Sequence, residues 1–195
     1  MESDIANIKI AILPGGRMPV RQTDGSIGHD AHIRAVVSPR NLDPINMVLR
    51  RTLFDFQDTP DGDDEEIVFT KRHIVRSNSG ALVYRMNPGE SVLVGIGFLS
   101  EMPFPLFYWV APRSGLSSKH GITVTNAPGT VDPDYRGEAG VLVYNRTTKP
   151  FDLEHGMRIA QIIFQWAVIP NIQSVACEEL GLTSRGSGGF GSTGL

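Results

Sequence analysis

The sequence predicts an all-β fold assembled from many short strands, and two observations carry that expectation. Glycine and proline are frequent, at 21 and 13 of 195 residues, so the chain turns often. Between those turn residues lie short runs rich in β-branched and apolar side chains. The plainest case spans residues 122 to 144. An apolar run, Ile122 to Val124, leads into Asn126-Ala127-Pro128-Gly129-Thr130-Val131-Asp132-Pro133-Asp134-Tyr135-Arg136-Gly137, and a second run, Val141 to Tyr144, leaves it. That is hairpin chemistry.

Taken in order, residues 6 to 13 alternate and end at Pro14-Gly15-Gly16, which predicts a first strand. A loop over 24 to 30 precedes a second strand over 31 to 36. Residues 38 to 66 are irregular and punctuated by Pro39, Pro44 and Pro60. Within them, Asp43 as N-cap and Pro44 at the first position allow a short helix over 43 to 51. The acidic run Asp61 to Glu66 reads as a solvated loop or a cation site. Strands follow over 66 to 75 and 81 to 86, joined at Ser77-Asn78-Ser79-Gly80. Further strands are predicted over 91 to 99, 106 to 110 and 151 to 153, and a long buried one over 157 to 169.

No internal repeat or domain boundary interrupts this pattern. The expected organisation is one β domain over 1 to 183 with a polar insertion at about 40 to 80. Residues 184 to 195 form a Gly-rich tail, too poor in apolar residues to order itself alone.

Composition removes several function classes. The net charge is -3, so nucleic acid is a poor partner, although a few local arginines suffice for a nucleoside phosphate. Cys177 is the only cysteine, which rules out an intrachain disulfide and a cysteine metal cluster, and it reads as a semi-buried thiol. No apolar run is long enough to span a membrane, and the N-terminus lacks the pattern of a signal peptide. A cytoplasmic protein is expected, or one of the host cytoplasm if virus-encoded.

Four stretches carry candidate chemistry. The 126 to 137 loop gathers two acids, an aromatic ring and free amides; it suits a flat polar ligand or an ordinary surface turn. Arg113-Ser114-Gly115 offers an Arg fork, a hydroxyl and an amide to an anion. Gln161, on the strand opened by Arg158, is either a ligand contact or an amide bonded to backbone. The tail, Arg185 to Gly194, combines glycines with Arg185, Ser192, Thr193 and Phe190. Converging amides suit phosphate and a ring can stack on a base, while a linker-like tail is the alternative.

Together these stretches resemble the trimeric deoxyuridine triphosphatase family, whose five motifs occur in order. They match Gly28 to Ala35, Ala111 to Leu116, Asn126 to Glu138, Gly156 to Gln161 and Arg185 to Gly194. The resemblance implies a jelly-roll or β-barrel subunit, a homotrimer with shared active sites, and hydrolysis of dUTP to dUMP and pyrophosphate. Such an activity keeps uracil out of DNA and supplies dUMP for thymidylate synthesis. It further implies that Asp132 activates water, that Tyr135 packs under deoxyribose, and that Asn126, Gly129 and Val131 read uracil. Arg113, Ser114, Gly115 and Gln161 hold phosphates. Arg185, Phe190, Gly191, Ser192 and Thr193 close over them. Mg²⁺ rides on the triphosphate, with Asp30 reaching it through water. Two positions depart from the family pattern: Ala31 stands where Leu is usual, and Met157 where Asp is usual. The related dCTP deaminases carry a catalytic Glu near the position of Leu142, which this chain lacks. A nucleotide sensor and a structural β-trimer are the non-enzymatic rivals.

Overall fold

The computed structural model describes residues 6–188, and strands dominate them. A five-stranded sheet is ordered β10-β12-β7-β3-β4, where β10 is Ile122–Val124, β12 Gly140–Asn145, β7 Ser91–Gly95, β3 Ala35–Leu42 and β4 Arg50–Phe54. A four-stranded sheet is ordered β11-β9-β14-β2, where β11 is Gly129–Val131, β9 Leu106–Pro112, β14 Arg158–Trp166 and β2 His29–His32. Smaller sheets pair β1 (Lys9–Ile12) with β8 (Phe98–Glu101), and β13 (Phe151–Leu153) with β6 (Leu82–Met86) and β5 (Ile74–Arg76). Alternation sets the core: Val141 and Val143 of β12 and Tyr108 and Val110 of β9 all enter one buried apolar cluster. Burial pushes the Tyr108 phenol up to about 12, so it stays neutral in that core.

Several sequence expectations are corrected. The second strand is two strands, β2 and β3, with the chain passing between sheets at Ile33 and Arg34. Residues 91 to 99 divide likewise into β7 and β8. The break falls at Gly97, whose φ of +77° and close approach to Gly16 leave no room for a side chain. The third motif is a hairpin only in its stems. β10 pairs with β12, while the intervening β11 crosses to pair with β9 in the other sheet.

No helix forms over 43 to 51. Leu42 pairs with Arg50, the Asp43 amide donates to the Leu49 carbonyl at 2.9 Å, and the Asp43 carboxylate accepts from the Ile45 and Asn46 amides. The cap chemistry is used to turn a β-hairpin instead. The acidic run begins a helix, α1 (Glu65–Lys71), where a strand was expected; Asp64 caps it by accepting from the Ile67 amide at 3.2 Å. β14 ends at Trp166, and Val168 and Ile169 beyond it are 89% and 62% exposed, so the long strand is not buried to its end. Cys177 is exposed rather than semi-buried.

One buried ion pair ties the first motif to the third. Glu138, 2% exposed, accepts from Arg34 Nε at 2.7 Å and Nη2 at 2.6 Å, and from the Gly97 amide at 2.8 Å. Gly95 admits it, since a Cβ there would collide with the carboxylate. Removing one partner of such a pair strands a buried charge, so Glu138→Ala should cost about 3–5 kcal/mol. Thermal unfolding measures this as a lower Tm; an unchanged Tm would deny the pair its structural role.

Candidate active site

Strand pairing assembles one cluster of cationic and amide groups. Gln161 of β14 pairs with Ala111 of β9 on one side and with Asp30 of β2 on the other. Arg113 follows β9 directly, and a second helix, α2 (Ser114–His120), begins just after it. Ser114 and Gly115 lie exposed in the first turn of α2, where backbone N–H groups have no acceptor within the helix. A Cβ on Gly115 would touch nothing within 4 Å, so the subunit's own packing does not demand glycine there.

Asp30 organises the arginines. It is 7% exposed and accepts from Arg113 Nε at 2.9 Å and Arg158 Nη1 at 3.1 Å, so two guanidinium groups face one carboxylate. Arg113 Nη1 also donates to the Arg158 carbonyl. The surplus positive charge borders a cleft of about 370 Å³ lined by Arg113, Ser114, Gly115, Gln161 and Asp30, with Gln22 and Ser26 from the loop before β2. Gln161 donates Nε2 to the Pro112 carbonyl at 3.0 Å and turns its other end toward Gly28, where a side chain would collide with it. It is therefore bonded to backbone and still part of the cleft wall. Burial first, then Arg21 for His29 and Arg17 for His32, push both imidazoles below their usual value; near neutral pH they add no charge.

A second cleft, of about 410 Å³, opens beside the third motif. Asn126, Val131, Asp132 and Tyr135 line it, and Gly129 sits buried beneath Asn126. Asp132 is exposed and its carboxylate makes no hydrogen bond among the described residues. Tyr135 donates its hydroxyl to the Glu138 carbonyl at 3.0 Å, which fixes the ring against Gly137. Leu142 is in the wall, and Asp132 is the only acid among the lining residues.

The two clefts share no residue. Val131 pairs with Tyr108, whereas Arg113 lies five residues further on, just past the end of β9, roughly 17 Å away at 3.4 Å per residue. Arg185 belongs to neither cleft; its Nε donates to the Gly188 carbonyl at 2.8 Å. Phe190, Gly191, Ser192 and Thr193 lie outside the described residues.

Sequence reasoning missed Gln22 and Ser26 at the first cleft, Arg158 behind it on Asp30, and Pro39, Arg50 and Leu93 at the second. Only Arg158 carried a signal, as the charged residue opening the long strand. Met157, where Asp was expected, packs against the core, and its carbonyl accepts from the Ile33 amide at 2.9 Å, so backbone supports that loop. Ala31 is 1% exposed within the core. Among the described residues no group of three or more His, Cys, Asp or Glu side chains is arranged to hold a metal ion.

The chain is similar to known proteins in both sequence and fold. The family model described as dUTPase matches residues 81–194, beginning just past the insertion. A deoxyuridine 5'-triphosphate nucleotidohydrolase of Rhizobium rhizogenes is 47% identical over 108 residues, covering 55% of this chain and 68% of that protein. The enzyme of the same name from Nautilia profundicola is 47% identical over 109 residues, covering 56% of this chain and 75% of its own. A solved dUTPase of Staphylococcus bacteriophage 80alpha superposes with a TM-score of 0.67 at 17% identity, over 97% of this chain and 99% of that one, which extends the shared fold across the insertion. With the family model covering more than half of the chain and two relatives at nearly half identity, this chain belongs to the dUTPase family.

Proposed function

We propose that the protein hydrolyses dUTP to dUMP and pyrophosphate in active sites completed by neighbouring copies of the chain. The observation that carries this reading is the separation of two complementary half-sites. One cleft offers a carboxylate, an amide side chain and a fixed aromatic ring, which suits a nucleoside. The other offers Arg113, a hydroxyl and helix-start amides, with Arg158 behind them on Asp30, which suits phosphates. They lie roughly 17 Å apart along the chain and have no lining residue in common, so neither cleft alone offers groups for both base and phosphates. A threefold assembly brings the nucleoside cleft of one copy against the phosphate cluster of the next.

Exposed apolar residues favour the same conclusion. Val168, Ile172 and Leu182 are 89%, 86% and 102% exposed on a segment without strand partners. Such side chains call for cover by another copy. The tail that follows, with Arg185, Phe190, Gly191, Ser192 and Thr193, is then supplied to a third copy's nucleotide, with Phe190 on the base and the polar groups on the γ-phosphate.

In the reaction, water attacks the α-phosphorus. A new P–O bond forms, the bond to the oxygen bridging to the β-phosphorus breaks, and pyrophosphate leaves with the electron pair. Asp132 takes the proton of the water. Its exposure and lack of a side-chain partner leave both oxygens available for that task. The backbone from Asn126 through Gly129 to Val131 borders uracil. Tyr135, held by Glu138, lies under deoxyribose and leaves no space for a 2′-hydroxyl. Arg113, Ser114, Gly115 and Gln161 align the phosphates for in-line departure.

The residues present fit Mg²⁺ only as an ion carried by the triphosphate and water. Both Asp30 oxygens are engaged by arginines, so Asp30 positions Arg113 and Arg158 and would meet the ion only through water. When bound, the ion supplies charge neutralisation on the phosphates. No helix of the described residues is long and apolar enough to cross a membrane, and the reading places the activity in the cytoplasm.

Pyrophosphate release from dUTP, dCTP, dTTP and UTP tests the reading. Turnover of dUTP alone is expected. Equal turnover of UTP would contradict the role of Tyr135, and ammonia released from dCTP would favour the deaminase reading instead.

A further inference from the structure

The hairpin of β3 and β4 lies before the segment that matches the family model, yet it builds one wall of the nucleoside cleft. Its tip touches the third motif: the Val48 carbonyl stands 3.0 Å from where a Cβ on Gly137 would be. Its neck places Pro39 and Arg50 in the cleft wall. Arg50 is the only cation lining that cleft, as Asp132 is its only acid. Nη1 of Arg50 donates to the Ser38 carbonyl at 3.4 Å and the Pro39 carbonyl at 3.1 Å, which fixes the guanidinium beside Pro39. Its Nε and Nη2 make no hydrogen bond among the described residues, and Arg50 forms no ion pair there. The neighbouring Arg51 differs in this respect, since its Nη2 is held by Asp64 at 2.6 Å.

A guanidinium has donors only. One that is anchored through a single nitrogen in the wall of a ligand cleft keeps its remaining donors for whatever occupies the cleft. Uracil presents acceptors at both its 2- and 4-carbonyls, whereas cytosine presents a donor at the 4-position. We infer that Arg50 is a specificity-determining residue of the nucleoside cleft, donating to the 4-carbonyl oxygen of the bound uracil. The insertion thereby adds a base contact to those of the third motif. This inference rests on the dUTP reading given above.

The test is calorimetric binding of deoxyuridine, dUMP and dCMP to full-length wild type, Arg50→Met, Arg50→Lys and Arg51→Met. Methionine keeps the aliphatic bulk of the stem and removes the donors. A lost charge-assisted hydrogen bond should weaken deoxyuridine and dUMP about 10- to 100-fold in Arg50→Met. Arg50→Lys should recover part of that loss, because it keeps charge without the planar fork. Preference for dUMP over dCMP should narrow in Arg50→Met, and Arg51→Met should bind as wild type. With dUTP as substrate, the change should fall on KM rather than kcat. Thermal unfolding of each variant separates loss of a contact from loss of the hairpin. Wild-type affinity in a folded Arg50→Met would overturn the inference. So would a loss confined to dUMP, which would place the contact on phosphate. A wild-type protein that fails to turn over dUTP would instead sink the functional reading.

Discussion

Asp132→Asn should lose nearly all dUTP turnover while still binding dUMP at close to wild-type affinity. The substitution is isosteric and lies at an exposed position whose side chain makes no hydrogen bond among the described residues, so their fold has nothing to lose there. What disappears is the proton acceptor for the attacking water. General-base catalysis typically contributes about 10²–10⁴-fold, so a fall in kcat of that order is expected in a pyrophosphate-release assay. Calorimetry with dUMP provides the control. A variant that retained activity would move the base elsewhere, and among the cleft-lining residues no second acid is available.

Arg113→Ala should lose stability as well as activity. Arg113 holds phosphate in the proposed mechanism and also neutralises Asp30, which is 7% exposed and shared with Arg158. Its removal takes donors from the position where charge develops, a loss of about 10²–10³-fold in kcat by comparison with other preorganised donors. It also leaves a nearly buried carboxylate with one partner in place of two, which costs about 1–3 kcal/mol of stability. Arg113→Lys should regain the stability better than the activity, since a lysine is a point charge rather than a fork. Combined kinetics and thermal unfolding check both halves, and a stable, fully active Arg113→Ala would contradict them.

The parts of the fold legible in sequence were those set by neighbours in the chain. Alternating runs such as Val141 to Tyr144 and turn clusters such as Pro14-Gly15-Gly16 located most strands, and the stems of the third motif fell where expected. The sites where strands change sheets were not legible. They depend on contacts such as Gly16 against Gly97, and Glu138 reaching Arg34 past Gly95, between residues far apart in sequence. α1 was readable in principle, because Asp64 followed by Glu65 and Glu66 is a helix start; the acidic run obscured it.

The candidate site divides in the same way. The resemblance named Arg113, Gln161, Asp132 and Tyr135, but not how the subunit arranges them. That Asp30 is bound to arginines 83 and 128 positions away is a property of the strand order β9-β14-β2. Arg50 carried no local signal because its hairpin resembles none of the five motifs. The separation of nucleoside and phosphate clefts along β9 likewise follows from register, which the residues of either motif alone do not encode.

The central claim is that each working site draws Asp132 and Arg113 from different copies, and subunit mixing tests it most directly. Asp132→Asn and Arg113→Ala chains would be co-expressed or refolded together in equal amounts and assayed for pyrophosphate release from dUTP. Neither variant alone should be active. With random threefold assembly, about a quarter of the sites would pair an intact Asp132 with an intact Arg113, so activity should return to about that fraction of wild type. Mixed assemblies no more active than the two variants measured separately would contradict the claim and place both residues in one subunit's site.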